Sequence, residues 1–261
     1  MGDGLTERSE FGARLIREAA DLAQRFYESQ ASLTVRSKGT QDVVSEADLE
    51  VEKLIRDSIA ERFPEDAFFG EESGRHEVEG SDGLWIVDPV DGTQPFLSDL
   101  SSWCVSIAYA RHGVLEMGFL AAPARDEVFM GRRGHGATLN GRPIHVSRST
   151  RLDDGLLSIG MSPRIDADQI LPMFDALLRQ GVVYYREGSG ALSLAYVAAG
   201  RLIGYLEPHL NSWDGAAGVA IVEAAGGQVN DFLAGDALWV GGPCVAAPPA
   251  LYPSLAEVLG I

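Results

Sequence analysis

A chain of 261 residues with 46% hydrophobic and 23% charged side chains has the make-up of an ordinary globular protein, either one large domain or two small ones. Its formal net charge of −17 argues against nucleic acid or an anionic membrane as partner, because both require basic patches. Cys104 and Cys244 are too few and too far apart for a disulfide framework, the N-terminus is polar and acidic, and no apolar run approaches the roughly 20 residues of a membrane helix. A cytoplasmic protein with reduced core cysteines is expected.

In chain order, Phe11, Leu15, Ala19, Leu22 and Phe26 recur at helical spacing and predict an amphipathic helix over 9–29. Ser45 is a good N-cap for a second helix reaching Arg62, with Asp48 placed to complete a short capping box. Phe68-Phe69-Gly70 and the run 84–87 read as short buried strands. From 104 to 146 the pattern is that of an antiparallel sheet, with Asn140-Gly141 as a two-residue hairpin turn. The second half alternates: strands are predicted at 156–160, 182–186, 202–206 and 245–247, and helices at 170–178, 192–199, 214–225 and 250–259. A single domain over 1–261 is expected, with 147–155 as a possible sub-domain boundary.

Three acidic stretches carry the chemistry. The run 84–87 ends in Asp88-Pro89-Val90-Asp91-Gly92-Thr93, where proline and glycine stiffen a turn holding two carboxylates. Glu71 and Glu72 follow the Phe68-Phe69-Gly70 strand, and Asp214 opens an alanine-rich helix after Asn211-Ser212-Trp213. Any one of these is an ordinary turn or helix start. Together they offer oxygen ligands from three loops with no cysteine or histidine among them, which suits a hard cation such as Mg²⁺.

Gly70-Glu71-Glu72-Ser73, then Trp85-Ile86-Val87-Asp88-Pro89-Val90-Asp91-Gly92-Thr93, then Trp213-Asp214-Gly215-Ala216-Ala217-Gly218 resemble the signature of the inositol monophosphatase family, the Mg²⁺-dependent, lithium-sensitive phosphatases. The resemblance runs from Lys38 nearly to the C-terminus. It implies an α/β (α+β) fold, a layered α-β-α-β-α sandwich, and a homodimer acting on a small phosphorylated metabolite with two or three Mg²⁺ per site. By resemblance, Glu71, Asp88 and the carbonyl of Val90 hold one ion. Asp88, Asp91 and Asp214 hold a second, and a third, weaker ion sits near Glu71. Thr93 orients the attacking water, with Glu71 and Asp48 assisting, while the amides of Gly92 and Thr93 face the phosphate. Lys38, Glu72 and Trp213 support the ligands from behind.

On the substrate side, the resemblance assigns Gly188, Ser189 and Gly190 to a turn that touches substrate hydroxyls, and Glu207 to an acid that binds sugar hydroxyls. A solvated strand-end glutamate is the simpler account of Glu207, and helix capping alone explains Asp48. No cysteine or histidine adjoins the motifs in sequence, so direct attack by water is expected rather than a covalent phosphoenzyme. Two departures bear on substrate choice: Gln94-Pro95 stands where the family commonly has Asn, and His209-Leu210-Asn211-Ser212 precedes Trp213. The family also includes histidinol phosphatases, bisphosphate nucleotidases and some fructose-bisphosphatases, and some bacterial members touch the transcription or RNA machinery. An inositol or related polyol phosphate is the leading expectation. A phosphatase on one of those other substrates and a regulatory or interaction protein are the alternatives.

Overall fold

The structure, a computed structural model, describes residues 4–30, 33–39, 42–162 and 165–261, without the side chains of 36–39 and 42–44. Its first half comprises α1 (Gly4–Glu28), β1 (Val35–Gly39), β2 (Asp42–Ser45), α2 (Glu46–Arg62), β3 (Ala67–Gly70), β4 (Gly74–His76), β5 (Gly83–Asp91), α3 (Thr93–Leu97), β6 (Cys104–Arg111), β7 (Val114–Ala122), β8 (Glu127–Arg132), β9 (Gly136–Leu139) and β10 (Arg142–Ile144). The second half comprises β11 (Leu156–Ile159), α4 (Ala167–Arg179), β12 (Val183–Tyr185), α5 (Gly190–Ala198), β13 (Gly204–Leu210), α6 (Ser212–Ala224), β14 (Gln228–Val229), α7 (Ala237–Val240), β15 (Gly242–Ala247) and α8 (Tyr252–Leu259).

An eight-stranded sheet has the order β10-β9-β8-β7-β6-β5-β3-β4, and a five-stranded sheet the order β12-β11-β13-β15-β14. The chain passes from one to the other between Ile144 and Leu156. Helices α1 and α2 cover one face of the large sheet, α5 and α6 fill the space between the sheets, and α4 and α8 cover the far face of the small one. This is the layered α-β-α-β-α sandwich.

The large sheet is buried on both faces, and β5 shows why its sequence is apolar without alternation. Trp85 and Val87 point into the core under α1 and α2 with Leu15, Val51 and Ile55. Leu84 and Ile86 point the other way, into the core shared with α5 and α6. Helix α6 lies close on β7 because Gly118 has no side chain: a Cβ there would come within 2.1 Å of the Ala217 carbonyl oxygen.

The expected antiparallel block is present, and Asn140 and Gly141 take the two positive φ values, 49° and 76°, of a primed hairpin turn. One boundary differs in a way that matters. The apolar strand does not stop at Val87 but continues through both aspartates, with a bulge between the pairs Asp88–Ser106 and Asp91–Cys104. Pro89 has no N–H to give the ladder, and the amide of Val90 turns to Asp88 Oδ1 at 2.9 Å. Helix α1 also starts at Gly4 rather than near Ser9, and β1 and β2 add a hairpin with no counterpart among the expected strands.

Candidate active site

Strands β3 and β5 run parallel, with Gly70 opposite Val87. Their C-terminal ends therefore emerge side by side, and Glu71 arrives next to Asp88, its amide still bonded to the Val87 carbonyl at 3.2 Å. Helix α6 brings its first turn to the same point. Asp88, Asp91 and Asp214 each place a carboxylate oxygen within 4.8 Å of the others. Glu71 stands outside this tight triad but faces the same cleft, a space of about 740 Å³ also lined by Val90, Gly92, Thr93, Gln94 and Pro95.

The triad is electrostatically costly when bare. Burial pushes the Asp88 carboxyl well above the usual range, and the charges of Glu71, Asp91 and Asp214 add to the rise. Asp91 is pushed up to about 7, first by burial and then by Asp214. Part of that rise is offset, because Asp91 Oδ2 accepts from Ser189 Oγ at 2.5 Å and from the Ala191 amide at 2.7 Å. Asp91 thus sits over the N-terminal turn of α5, where the helix dipole favours negative charge. Hard oxygen donors held together against their own repulsion fit a divalent cation such as Mg²⁺.

Asp48 completes the capping box and also reaches the cleft. Its Oδ2 accepts from the Ser45 amide at 2.8 Å, while Oδ1 lies 3.4 Å from Thr93 Oγ1. The Thr93 hydroxyl also lies 3.2 Å from the Val90 carbonyl, so the threonine is fixed between two acceptors. Gly92 turns the chain in the left-handed region at φ 95°, and a Cβ there would come within 2.7 Å of the Ser102 carbonyl. Trp213 packs edge-on to Phe69 at 5.3 Å, fixing the residue before Asp214. Lys38 lies in β1, its side chain outside the described residues.

A smaller space of about 190 Å³ adjoins the cleft, lined among others by Asp91, Ser158, Ser189, Tyr205, Glu207 and Asp214. Glu207 is not a solvated strand end: it is 6% exposed, bonded to the Tyr205 hydroxyl, and pushed up to about 8, chiefly by burial. Gly188 lines both spaces' shared wall and Gly190 the smaller one. The Ser189 hydroxyl donates to Asp91 and accepts from the Leu192 amide at 3.1 Å, so both of its functions are engaged within the protein.

Glu52 and Cys104 were not among the site residues expected from the sequence, and the polar run before Trp213 divides in two. Glu52, one helical turn beyond Asp48 on the inward face, accepts from the amides of Glu72 and Ser73 at 2.8 and 2.7 Å and fixes the turn that carries Glu71. Asn211 Nδ2 donates to Asp214 Oδ2 at 3.0 Å, whereas His209 turns away to the Val240 carbonyl. The expectation that no cysteine adjoins the acidic motifs holds along the chain but not in space. Strand pairing sets Cys104 Sγ 4.0 Å from Asp91 Oδ2 and 3.5 Å from Ser189 Oγ. Burial, and after it the Asp91 charge, raise its pKa well above that of an ordinary thiol, which disfavours the thiolate that a nucleophile needs.

The fold and this cluster together define a class, the layered α/β proteins with an all-oxygen cradle suited to a hard cation. The chain belongs to the inositol monophosphatase family, whose profile matches residues 5–260. It is 36% identical over 244 residues to the Nus factor SuhB of Escherichia coli (strain K12), covering 93% of this chain and 91% of that protein. Among solved structures it is similar to the extragenic suppressor protein suhB of Bartonella henselae, with 35% identity, a TM-score of 0.88, and 95% and 97% of the two chains covered. The IMPase of Thermotoga maritima aligns with a TM-score of 0.85 at 30% identity, covering 97% and 96%.

Proposed function

We propose that the protein hydrolyses a small phosphate monoester in a Mg²⁺-dependent reaction, and that its substrate is an inositol monophosphate or a related polyol or sugar phosphate. The observation carrying this reading is the convergence of Asp88, Asp91 and Asp214 to within 4.8 Å despite burial and mutual repulsion, which bound cations relieve. Glu71, Asp88 and the Val90 carbonyl are assigned to one ion and Asp88, Asp91 and Asp214 to a second, with a third beside Glu71. Bound there, Mg²⁺ would lower the pKa of a water molecule and neutralise phosphate charge.

The protein's own groups do the rest. Thr93, held between Asp48 and the Val90 carbonyl, orients the attacking water and passes its proton toward Asp48. Gly92 and Thr93 open α3, where amides without helical partners face the phosphate. Glu52 holds the Glu71-Glu72 turn, and Trp213 holds Asp214. The polar space around Glu207 receives hydroxyls of the leaving group. Direct attack by water is the reading we favour, because burial disfavours the Cys104 thiolate and no histidine lines either space among the described residues.

A homodimer in a cytoplasmic setting is part of the proposal. Val183 on the edge strand β12, and Leu171 and Leu178 on α4, are 56%, 60% and 57% exposed and would be covered by a second copy. The similarity to proteins named Nus factor SuhB supports a second reading, a regulatory or interaction role on the same fold. A panel of inositol, sugar, histidinol and nucleotide phosphates, assayed for phosphate release with Mg²⁺ and then with excess chelator, separates the two. Chelator-sensitive release from a polyol phosphate supports the first. No release from any ester would leave the second standing.

A further inference from the structure

We propose that Arg125 is a positioning residue for the carboxylate of Asp91, acting through the two loops that bracket the Asp88–Thr93 segment. Arg125 closes the short 3-10 turn after β7, outside every acidic motif. Its Nε donates to the Ser101 carbonyl at 2.9 Å and Nη2 to Ser102 Oγ at 3.1 Å. The same guanidinium pairs with Glu187 and bonds the Tyr196 hydroxyl. One cation thus ties the loop before β6 to the loop before α5.

Both loops bear directly on the metal segment. The Ser102 carbonyl backs Gly92 so closely that a Cβ there would stand 2.7 Å away. Two residues after Glu187, Ser189 donates to Asp91 Oδ2 at 2.5 Å, and Ala191 donates to the same oxygen. The Glu187 side chain has 0% exposure and takes its bonds from Arg125 and Tyr185, so without the arginine it would be a buried charge with one neutral partner. A planar fork that reaches four acceptors on three elements has no substitute in lysine, whose ammonium is a point charge on a flexible stem. Release of either loop therefore moves Ser189 or Gly92, and with them the oxygen of Asp91.

The inference rests on the cation site proposed above, and calorimetric Mg²⁺ titration of substrate-free protein keeps the two separable. Should the parent bind no Mg²⁺, the cation site itself fails. With the parent binding, Arg125→Ala should weaken Mg²⁺ by about 10- to 100-fold, the scale for partners that orient a metal ligand. Arg125→Lys should fall between the two, and added guanidinium ion should restore part of the loss in Arg125→Ala but none in the parent. Arg201→Ala serves as control, because Arg201 stacks on the same Tyr196 ring and pairs with Glu127 without touching either loop. A folded Arg125→Ala protein with parental Mg²⁺ affinity overturns the proposal, as does an equal loss in Arg201→Ala. If the buried Glu187 prevents Arg125→Ala from folding, the double variant Arg125→Met with Glu187→Gln removes both charges, and parental Mg²⁺ affinity in that protein overturns the proposal equally.

Discussion

Ser189 and Asp91, 98 residues apart in sequence, are joined by a 2.5 Å hydrogen bond in which the serine hydroxyl donates to Oδ2. The same serine oxygen accepts from the Leu192 amide and caps α5. One side chain thus starts a helix and orients a carboxylate of the proposed cation site. Ser189→Ala removes both bonds. In chelator it should lose about 2–5 kcal/mol of unfolding free energy, the combined scale of a helix cap and a hydrogen bond to a charged group. Urea unfolding measures this, and a loss below about 0.5 kcal/mol, the range of surface changes, would show that neither bond contributes.

Asp91→Asn and Asp214→Asn separate function from stability. Each should lower turnover in the proposed reaction by orders of magnitude, because a charge of the proposed cation site is gone. Each should also melt at or above the parental temperature in chelator, because burial of Asp91 and its repulsion with Asp214 both disfavour the bare carboxylates. A large loss of metal-free stability would mark these residues as structural instead.

Burial, with the same repulsion adding to it, sets a pH dependence. Asp91 moves from 3.8 to about 7 and Glu207 from 4.5 to about 8, burial being the main cause for both. Folded values above unfolded ones mean that the folded chain binds more protons, so metal-free stability falls as pH rises from about 4 to about 8. The contribution is fully present below that window and gone above it. A tenfold difference in proton affinity between the folded and unfolded chain is worth about 1.4 kcal/mol at most. Thermal midpoints in chelator should therefore drop between about pH 5 and 8, less steeply in Asp91→Asn. Equal slopes in the two proteins would remove Asp91 from the account.

Metal dependence checks the ligand set as a whole. Because every proposed ligand is oxygen, excess chelator should abolish phosphate release, and by resemblance to the lithium-sensitive members of its family Li⁺ should inhibit it. Full activity in chelator would sink the metal mechanism.

What the sequence made legible was local. The capping box of Ser45 and Asp48 lies within four residues, and the Asn140-Gly141 turn within two, so each could be read from spacing and backbone preference alone. The carboxylates Asp88 and Asp91 were legible as a pair, but not their place within a bulged strand, because the partner that defines the bulge, Cys104, comes after a loop and a short helix. Arg125 and Glu187, 62 residues apart, form a pair that no local pattern announces. Glu207 was assigned to the site by resemblance alone, and a solvated strand end stayed open beside it, because its burial and its bond to Tyr205 are not visible in local spacing. Long-range pairing, set by topology, decided the parts that spacing could not.

Glu207 carries the last prediction, on substrate choice. It is 6% exposed, shares the smaller polar space with Asp91 and Asp214, and is bonded on one oxygen by Tyr205. Its other oxygen is available to a hydroxyl, and near neutral pH its protonated form can donate as well as accept. A site built around such a group discriminates through the bonds it loses with the wrong ligand. Glu207→Gln keeps the shape but can never become the charged acceptor that a bound hydroxyl would bond most strongly. It should lower kcat/KM on inositol or sugar phosphates by about 1–3 kcal/mol, the scale for hydrogen bonds to charged or buried polar groups. On p-nitrophenyl phosphate, which offers no hydroxyl, the loss should be slight. Damage to the cation site would appear equally with both substrates, so the ratio of the two losses isolates the hydroxyl contact. Equal losses would show that Glu207 does not select the substrate, and would remove the direct structural support for a polyol.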